Sequence, residues 1–237
     1  MKNKHDILAI IPARGGSKRL PGKNILDFAG KPLIAWTIDA ALKSKYINNI
    51  IVSTDDAQIA SIAKEYGAKV PFLRPDNLAS DEATTIDVVL DLLSRISEKY
   101  KYIALLQPTS PLRTYQHIDE SVEQLGDKDS VVSVVKTEHP LEWCNTLPSD
   151  KNLDNFIDDS VRNKRSQDLP DRYRINGAIY IVKTDVLLRV KSFLLEKGAV
   201  AYVMDRDSSI DIDHKQDFII ALMNFIGLDE AIVKLSK

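Results

Sequence analysis

The stretch "PARGGSKRLPGKN", Pro12 to Asn24, places Arg14, Lys18, Arg19 and Lys23 among three glycines. Four cations packed this closely repel one another unless an anion lies between them. Glycine and serine leave backbone N–H groups open to close approach by phosphate oxygens. The residue types therefore read as a polyphosphate cradle. Arg14 and Lys23 flank the anion, and Gly15, Gly16 and Ser17 supply the backbone contacts. The familiar phosphate loops do not fit: Asn24 follows Lys23 where a Walker loop needs Ser or Thr, and G-x-G-x-x-G is absent. The excess of positive charge suits a polyphosphate that departs as a charged leaving group.

Near the other end, "SIDIDHKQDF" sets Asp211 and Asp213 two residues apart. On a strand they would share one face, about 7 Å apart. At an effective dielectric near 20 such a pair repels by roughly 2 kcal/mol. A cation between them relieves this, and Mg²⁺ uses one or two carboxylates plus phosphate oxygens and water. Asp211 and Asp213 are thus the expected Mg²⁺ ligands. Asp213 also reads as the cap of a helix from 214, with Gln216 closing a box, and His214 as a first-turn residue. In "KRSQDLPDRYRINGAIY" the guanidinium groups suit bidentate capture of a carboxylate, Arg174 first and Arg165 second. In "QPTSPLR" two prolines hold Gln107, Thr109 and Ser110 still for hydrogen bonding. Arg113 is open between substrate contact and turn cap. No side chain stands out as a general base.

The elements that must position these groups alternate. Strands are expected at "DILAIIPA", "NIIVST", "AKVPF", "YIALLQ", "SVVSVVK", "GAIYIVK", "AVAYVMD" and "SIDI". Helical spacing follows Pro32 through Ile34, Ile38 and Ala41, continues at Ile59, Ile62 and Ala63 behind Asp55 or Asp56, and recurs over 84–98, 115–125 and 214–226. Asp81 reads as the cap of the third of these helices. Apolar strands alternating with helices predict an α/β fold in three layers, a mostly parallel sheet with helices on both faces. Ligands then bind beyond the carboxyl ends of the strands, where both "PARGGSKRLPGKN" and "QPTSPLR" begin. Residues 1–237 read as a single domain. The polar run 138–176 interrupts it without a period of its own, and is too long for an idle connection. Its Leu141, Trp143, Leu147, Phe156 and Ile157 need a cover, and a twofold pair of chains gives one. The segment is expected to mediate a homodimer.

Bulk composition narrows the class. Net charge is −2, with 28% charged and 44% hydrophobic residues, so nothing draws the whole chain to nucleic acid or to an anionic membrane. No apolar run nears the ~18–20 residues that span a bilayer. "ILAII", cut short by Pro12, is too brief for a signal-peptide core. The single cysteine, Cys144, excludes an intrachain disulfide and fits a reducing, cytoplasmic setting.

Taken together, "IPARGGSKRLPGKN", "LRPDNLASD", "LLQPTSPLR", "RSQDLPDRYRINGAIYI" and "SIDIDHKQDF" resemble the motifs of sugar-activating nucleotidyltransferases, in order and over nearly the whole chain. The likeness is greatest to the N-acylneuraminate cytidylyltransferases (CMP-sialic acid synthetases) and their relatives for other nine-carbon sugar acids, legionaminic acid among them. The resemblance implies a nucleotide-diphospho-sugar transferase-like fold and transfer of CMP from CTP to a 2-keto sugar acid, with release of pyrophosphate. It implies Arg74 on the nucleotide side, Asn24 near the cytosine, and Gln107 and Tyr180 facing the sugar acid. It also implies a homodimer whose extension contributes to the partner's site. One departure stands out: Ser166 occupies a place where the family often has a second arginine, which leaves Arg165 and the identity of the acid open. The lack of a further C-terminal domain, found in longer animal relatives, points to a bacterial type. Other readings are a nucleotidyltransferase for Kdo or a sugar phosphate, and a non-catalytic sugar-nucleotide binder.

Overall fold

The computed structural model describes residues 6–227. Six strands form one sheet: β1 (Ile7–Pro12), β4 (Ile47–Ser53), β5 (Tyr102–Leu106), β6 (Ser130–Lys136), β7 (Tyr173–Lys183) and β8 (Ala199–Met204), in the order β4-β1-β5-β7-β6-β8. β1 runs parallel to β4 and β5, and β6 parallel to β8, while β7 is antiparallel to both neighbours. The sheet is thus mostly parallel, with one reversed strand at its centre.

Why these strands are apolar throughout follows from the layers. Alternate residues of β1 point to opposite faces: Ile7, Ala9 and Ile11 join one cluster, and Leu8 and Ile10 the other. The first cluster packs against α1 (Leu33–Lys43), α2 (Ala57–Glu65) and α4 (Tyr115–Leu125), through Ile34, Ile38, Ile59, Ile118 and Val122. The second packs against α3 (Thr85–Arg95) and α5 (Thr184–Val190), through Val89, Leu92, Val186 and Leu187. A third cluster joins α6 (Lys215–Ile226) to a small hairpin of β2 (Asp27–Phe28) and β3 (Lys31–Pro32), around Phe28, Leu33, Ile212 and Leu222.

The expectations need correcting at several places. "AKVPF" forms no strand; only an isolated bridge joins Lys69 to Ile51. "SIDI" forms none either: a 3-10 turn covers Asp207–Ser209, and the chain then runs unpaired to the helix. Asp213 does not cap α6 with Gln216. His214 takes the cap position, and Asp217 accepts its N–H (2.7 Å) and that of Asp213 (3.0 Å). Nor does Asp81 cap α3. Thr84 does, in a capping box with Asp87. The β2–β3 hairpin and α5 were not expected.

The interrupting segment is shorter than its expected bounds, because residues 173–176 already belong to β7. Between β6 and β7, residues 137–172 contain only the 3-10 turns Leu141–Trp143 and Ser166–Asp168. Leu147 is 57% and Leu153 62% exposed there. Among the described residues no helix is long and apolar enough to cross a membrane.

Candidate active site

A cavity of about 460 Å³ opens beyond the carboxyl ends of β1 and β5. Its lining brings together Arg14, Ser17, Lys23, Asn24, Arg74, Gln107, Thr109 and Asp213, eight of the residues singled out from the sequence. Lys18, Arg19, Ser80 and Asp81 line it as well.

The loop after β1 is held by its neighbours. The Gly15 N–H donates to Asp55 Oδ1 at 3.1 Å, so it is engaged within the chain instead of standing free for phosphate. A Cβ at Gly15 would lie 2.7 Å from Asp56 Oδ2. Asp56 is itself fixed as the cap of α2, accepting from the N–H groups of Gln58 and Ile59. Glycine is required here by the close approach of loop and helix. Gly16 has open space around it.

The cations are satisfied by two carboxylates. Arg14 pairs with Asp81 at 2.9 Å, and Lys18 pairs with the same carboxylate. Their charges hold the Asp81 carboxyl below its usual value, through Lys18 first and Arg14 second. Arg19 pairs with Asp213 at 2.9 Å. Lys23, nearly buried, donates to Ile212 O at 2.7 Å and reaches Asp213 Oδ1 at 3.2 Å. Asp81, read from the sequence as a helix cap, is instead the internal counter-ion of half the loop. The T-x-x-D box at Thr84 was the available signal that the cap lay elsewhere.

Asn24 is buried and donates from Nδ2 to Arg14 O at 3.0 Å, while its Oδ1 has no partner in the protein. Arg74 is buried too. It donates to Ser53 Oγ at 3.2 Å and to Ser53 O, tying the cavity wall to the end of β4. Burial pushes its guanidinium down from the ordinary arginine value.

Asp211 stands behind the cavity wall. The Thr109 hydroxyl lies between its carboxylate and Gln107 Oε1, the latter 3.3 Å away. Burial pushes the Asp211 carboxyl up; the Thr109 contact opposes this, and the charge of Asp213 adds to it. A hard cation held by Asp211 and Asp213 would share the Asp213 carboxylate with Arg19 and Lys23 or displace them. No group of three or more His, Cys, Asp or Glu capable of holding a metal occurs among the described residues, so remaining ligands would come from substrate and water. Tyr180, on β7, is half-buried; burial and then the Asp211 charge push its hydroxyl up. Its ring packs edge-on against Phe193 at 6.0 Å.

Gly15, Gly16, Tyr180 and Asp211 do not line the cavity, and three further expected residues also lie elsewhere. Ser110 is buried behind its turn and does not reach the cavity wall. Arg165 is exposed and doubly bonded to Asp168, at 2.9 and 3.1 Å. Arg174 is exposed on the outer half of β7. Arg113, left open by the sequence, is a structural residue. It is 1% exposed and donates to Gln107 O (3.3 Å) and Ala178 O (3.4 Å), clamping the end of β5 to the middle of β7.

A sequence profile of cytidylyltransferases matches residues 8–231. The chain belongs to the cytidylyltransferase family. It is 42% identical to CMP-N,N'-diacetyllegionaminic acid synthase of Legionella pneumophila, over 90% of this chain and 94% of that protein. It is 35% identical to pseudaminic acid cytidylyltransferase of Campylobacter jejuni, over 93% and 95%. It is 41% identical to N-acylneuraminate cytidylyltransferase of Escherichia coli, over 91% of this chain but only 51% of that longer protein. In fold, the cytidylyltransferase resembles CMP:2-keto-3-deoxy-manno-octonic acid synthetase solved with CTP, with a TM-score of 0.67 at 18% identity, covering 92% of this chain and 98% of the other.

Proposed function

We propose that this cytidylyltransferase transfers CMP from CTP to the anomeric hydroxyl of a nine-carbon 2-keto sugar acid and releases pyrophosphate. The observation that carries this reading is the cavity itself, with four loop cations and Asp213 along it and Asp211 behind its wall. The names of the relatives, which act on legionaminic, pseudaminic and neuraminic acids, support the acceptor class.

The triphosphate replaces Asp81 and Asp213 as the counter-ion of Arg14, Lys18, Arg19 and Lys23. The partnerless Oδ1 of Asn24 accepts from the amino group of cytosine, an atom that uracil lacks. Gln107, Thr109 and Tyr180 face the sugar acid. Mg²⁺ fits Asp211 and Asp213 and, when bound, would neutralise charge on the phosphate oxygens. Lys23, anchored at Ile212 O, is already aimed where negative charge grows as pyrophosphate leaves.

Neither Arg165 nor Arg174 lines the cavity of its own chain. We therefore assign capture of the substrate carboxylate to arginines delivered by a second copy, whose segment 137–172 packs across the twofold axis. The exposed Leu147 and Leu153 support a buried role for that segment in a dimer. The exposed, unpaired Cys144 suits a reducing cytoplasm.

Pyrophosphate release is measured with CTP and four acids in turn: legionaminate, pseudaminate, N-acetylneuraminate and Kdo. Turnover with one of the three nine-carbon acids, at least tenfold faster than with Kdo, is expected. Preference for Kdo, or equal rates when ATP or UTP replaces CTP, would falsify the reading.

A further inference from the structure

Behind the cavity lies a buried polar cluster around Asn176, Ser133 and Ser209, none of which lines it. At Asn176-Gly177 the pairing of β7 with β6 slips, between Val132 and Val134. Gly177 adopts φ +81°, and a Cβ there would sit 3.5 Å from Gln107 Oε1 and 3.8 Å from Asp211 Oδ2. The two side chains thus converge on the bare face of Gly177. Asn176, 2% exposed, has its amide fully engaged. Its Oδ1 accepts from Ser133 Oγ (2.5 Å) and from the Ala178 N–H (3.2 Å). Its Nδ2 donates to Ser209 Oγ (2.9 Å) and lies 3.2 Å from Met204 Sδ. Ser209 Oγ in turn donates to Asp205 O.

What Ser209 belongs to gives this cluster its consequence. Residues 210–213 pair with no strand. Between the end of β8 and the start of α6, this run is anchored by the Ile212 N–H to Thr109 O (2.9 Å), by Lys23 to Ile212 O, by Arg19 and Lys23 on Asp213, by Arg206 to Glu138, by the Thr109 hydroxyl on Asp211, and by the Asn176–Ser209 bond. Among the hydrogen bonds and ion pairs of the described residues, only the last ties it to β7, the strand that carries Gly177 and Tyr180.

We propose that Asn176 is a positioning residue, which sets the place of Asp211 against Gln107 by tethering the 205–213 segment to the β7 irregularity through Ser209. This rests on the reading of Asp211 as a group that faces the transferred phosphate. The amide is satisfied on both sides, so it holds one orientation and transmits it. Outer partners of this kind change metal affinity or activity by about 10–100-fold when removed.

The test compares Ser209→Ala with Ser133→Ala. Ser133 bonds the other side of the same amide and also receives the Ile179 N–H at 2.8 Å, so its loss loosens the sheet without cutting the tether. Four quantities are measured: melting temperature, the kcat and the CTP KM of pyrophosphate release, and Mn²⁺ affinity of the enzyme–CTP complex by electron paramagnetic resonance. Both variants should melt a few degrees lower. Ser209→Ala should lose about tenfold in kcat and about tenfold in Mn²⁺ affinity, with CTP KM within twofold. Ser133→Ala should change neither by more than about twofold. Should Ser209→Ala not fold, Ser209→Cys keeps the volume, weakens the hydrogen bond, and carries the same expectation in direction. Wild-type kcat and Mn²⁺ affinity in the Ser209 variant overturn the proposal, as do equal losses in both variants. Should the wild type turn over none of the four acids, the functional reading falls, and the Mn²⁺ comparison alone decides the tether.

Discussion

The loop at 13–24 and the segment at 137–172 are both rich in charge, yet they satisfy it in opposite ways. Lys23 meets Asp213 across 190 residues of chain, and Arg14 meets Ser80 across 66. Two arginines of the segment pair close by, Arg162 with Asp159 and Arg165 with Asp168, each three residues apart, and Arg172 pairs within the segment with Glu142. The loop is locked to the core from several directions. The segment holds itself together and leaves Leu141, Leu147 and Leu153 exposed. One region is preorganised by its own chain, and the other, under the proposed dimer, would be covered by a second chain. The nucleotide half of the site should therefore tolerate little change, whereas the acceptor half should depend on assembly.

The largest effect is expected where the loop meets the carboxylates. Asp211→Asn should lower kcat by about 10³-fold, the upper range for removal of a transition-state charge contact. The same variant should be slightly more stable without metal, because burial raises the Asp211 carboxyl. The sign follows from linkage: above the raised folded value the ionised group's burial costs stability. That cost disappears as the pH falls through the raised folded value to the ordinary one of 3.8, where both states are protonated. A melting temperature about 2 °C above wild type at pH 7, converging with it near pH 3.5, is the expected result. Wild-type turnover, or a variant that melts lower at pH 7, contradicts this placement.

Next in size is Lys23→Ala, with kcat down about 10²-fold and the KM of the sugar acid within about threefold. A change confined to that KM would move Lys23 to the acceptor side and blur the contrast between the halves.

The contrast itself is tested by mixing Asp211→Asn chains with Arg165→Ala chains, each inactive alone. With random pairing and a shared site, roughly a quarter of wild-type activity should return. A dimer that fails to complement would keep the interface and place Arg165 in its own site. A monomer by sedimentation removes the distinction altogether.

The smallest effect concerns Asp81, the counter-ion displaced by the triphosphate. Asp81→Asn should tighten tripolyphosphate binding about threefold at low salt, and less at high salt, since exposed pairs are worth little. Weaker binding by calorimetry would mean that Asp81 orients Arg14 for the phosphate instead of competing with it.

Several features were legible in the sequence because they are local. β1 and β5 had to be apolar at every position, since both faces of a central strand are covered. The spacing after Pro32, the Asp56 cap and the cations of the loop needed no partner to be recognised. Eight of the chosen residues reach one cavity because the parallel strands place their carboxyl ends together.

The remainder depended on what each segment meets in space. "AKVPF" has strand composition but gains only one bridge at the edge of the sheet. "SIDI" alternates as a strand should, yet finds no strand edge to pair with, and isolated bonds to Thr109, Lys23 and Asn176 fix it instead. Asp81 and Asp213 sit where caps are plausible, and Thr84 and His214 hold those places because Asp87 and Asp217 lie three residues on to close the turns. Arg113 was ambiguous because its type announces a ligand, whereas its burial beneath two carbonyls makes it a clamp. Sequence determined which segments could be strands, helices and charged loops, since propensity and periodicity act over a few residues. Which carboxylate answers which cation was decided by the tertiary structure, because that pairing joins residues far apart in the chain and only folding brings them together.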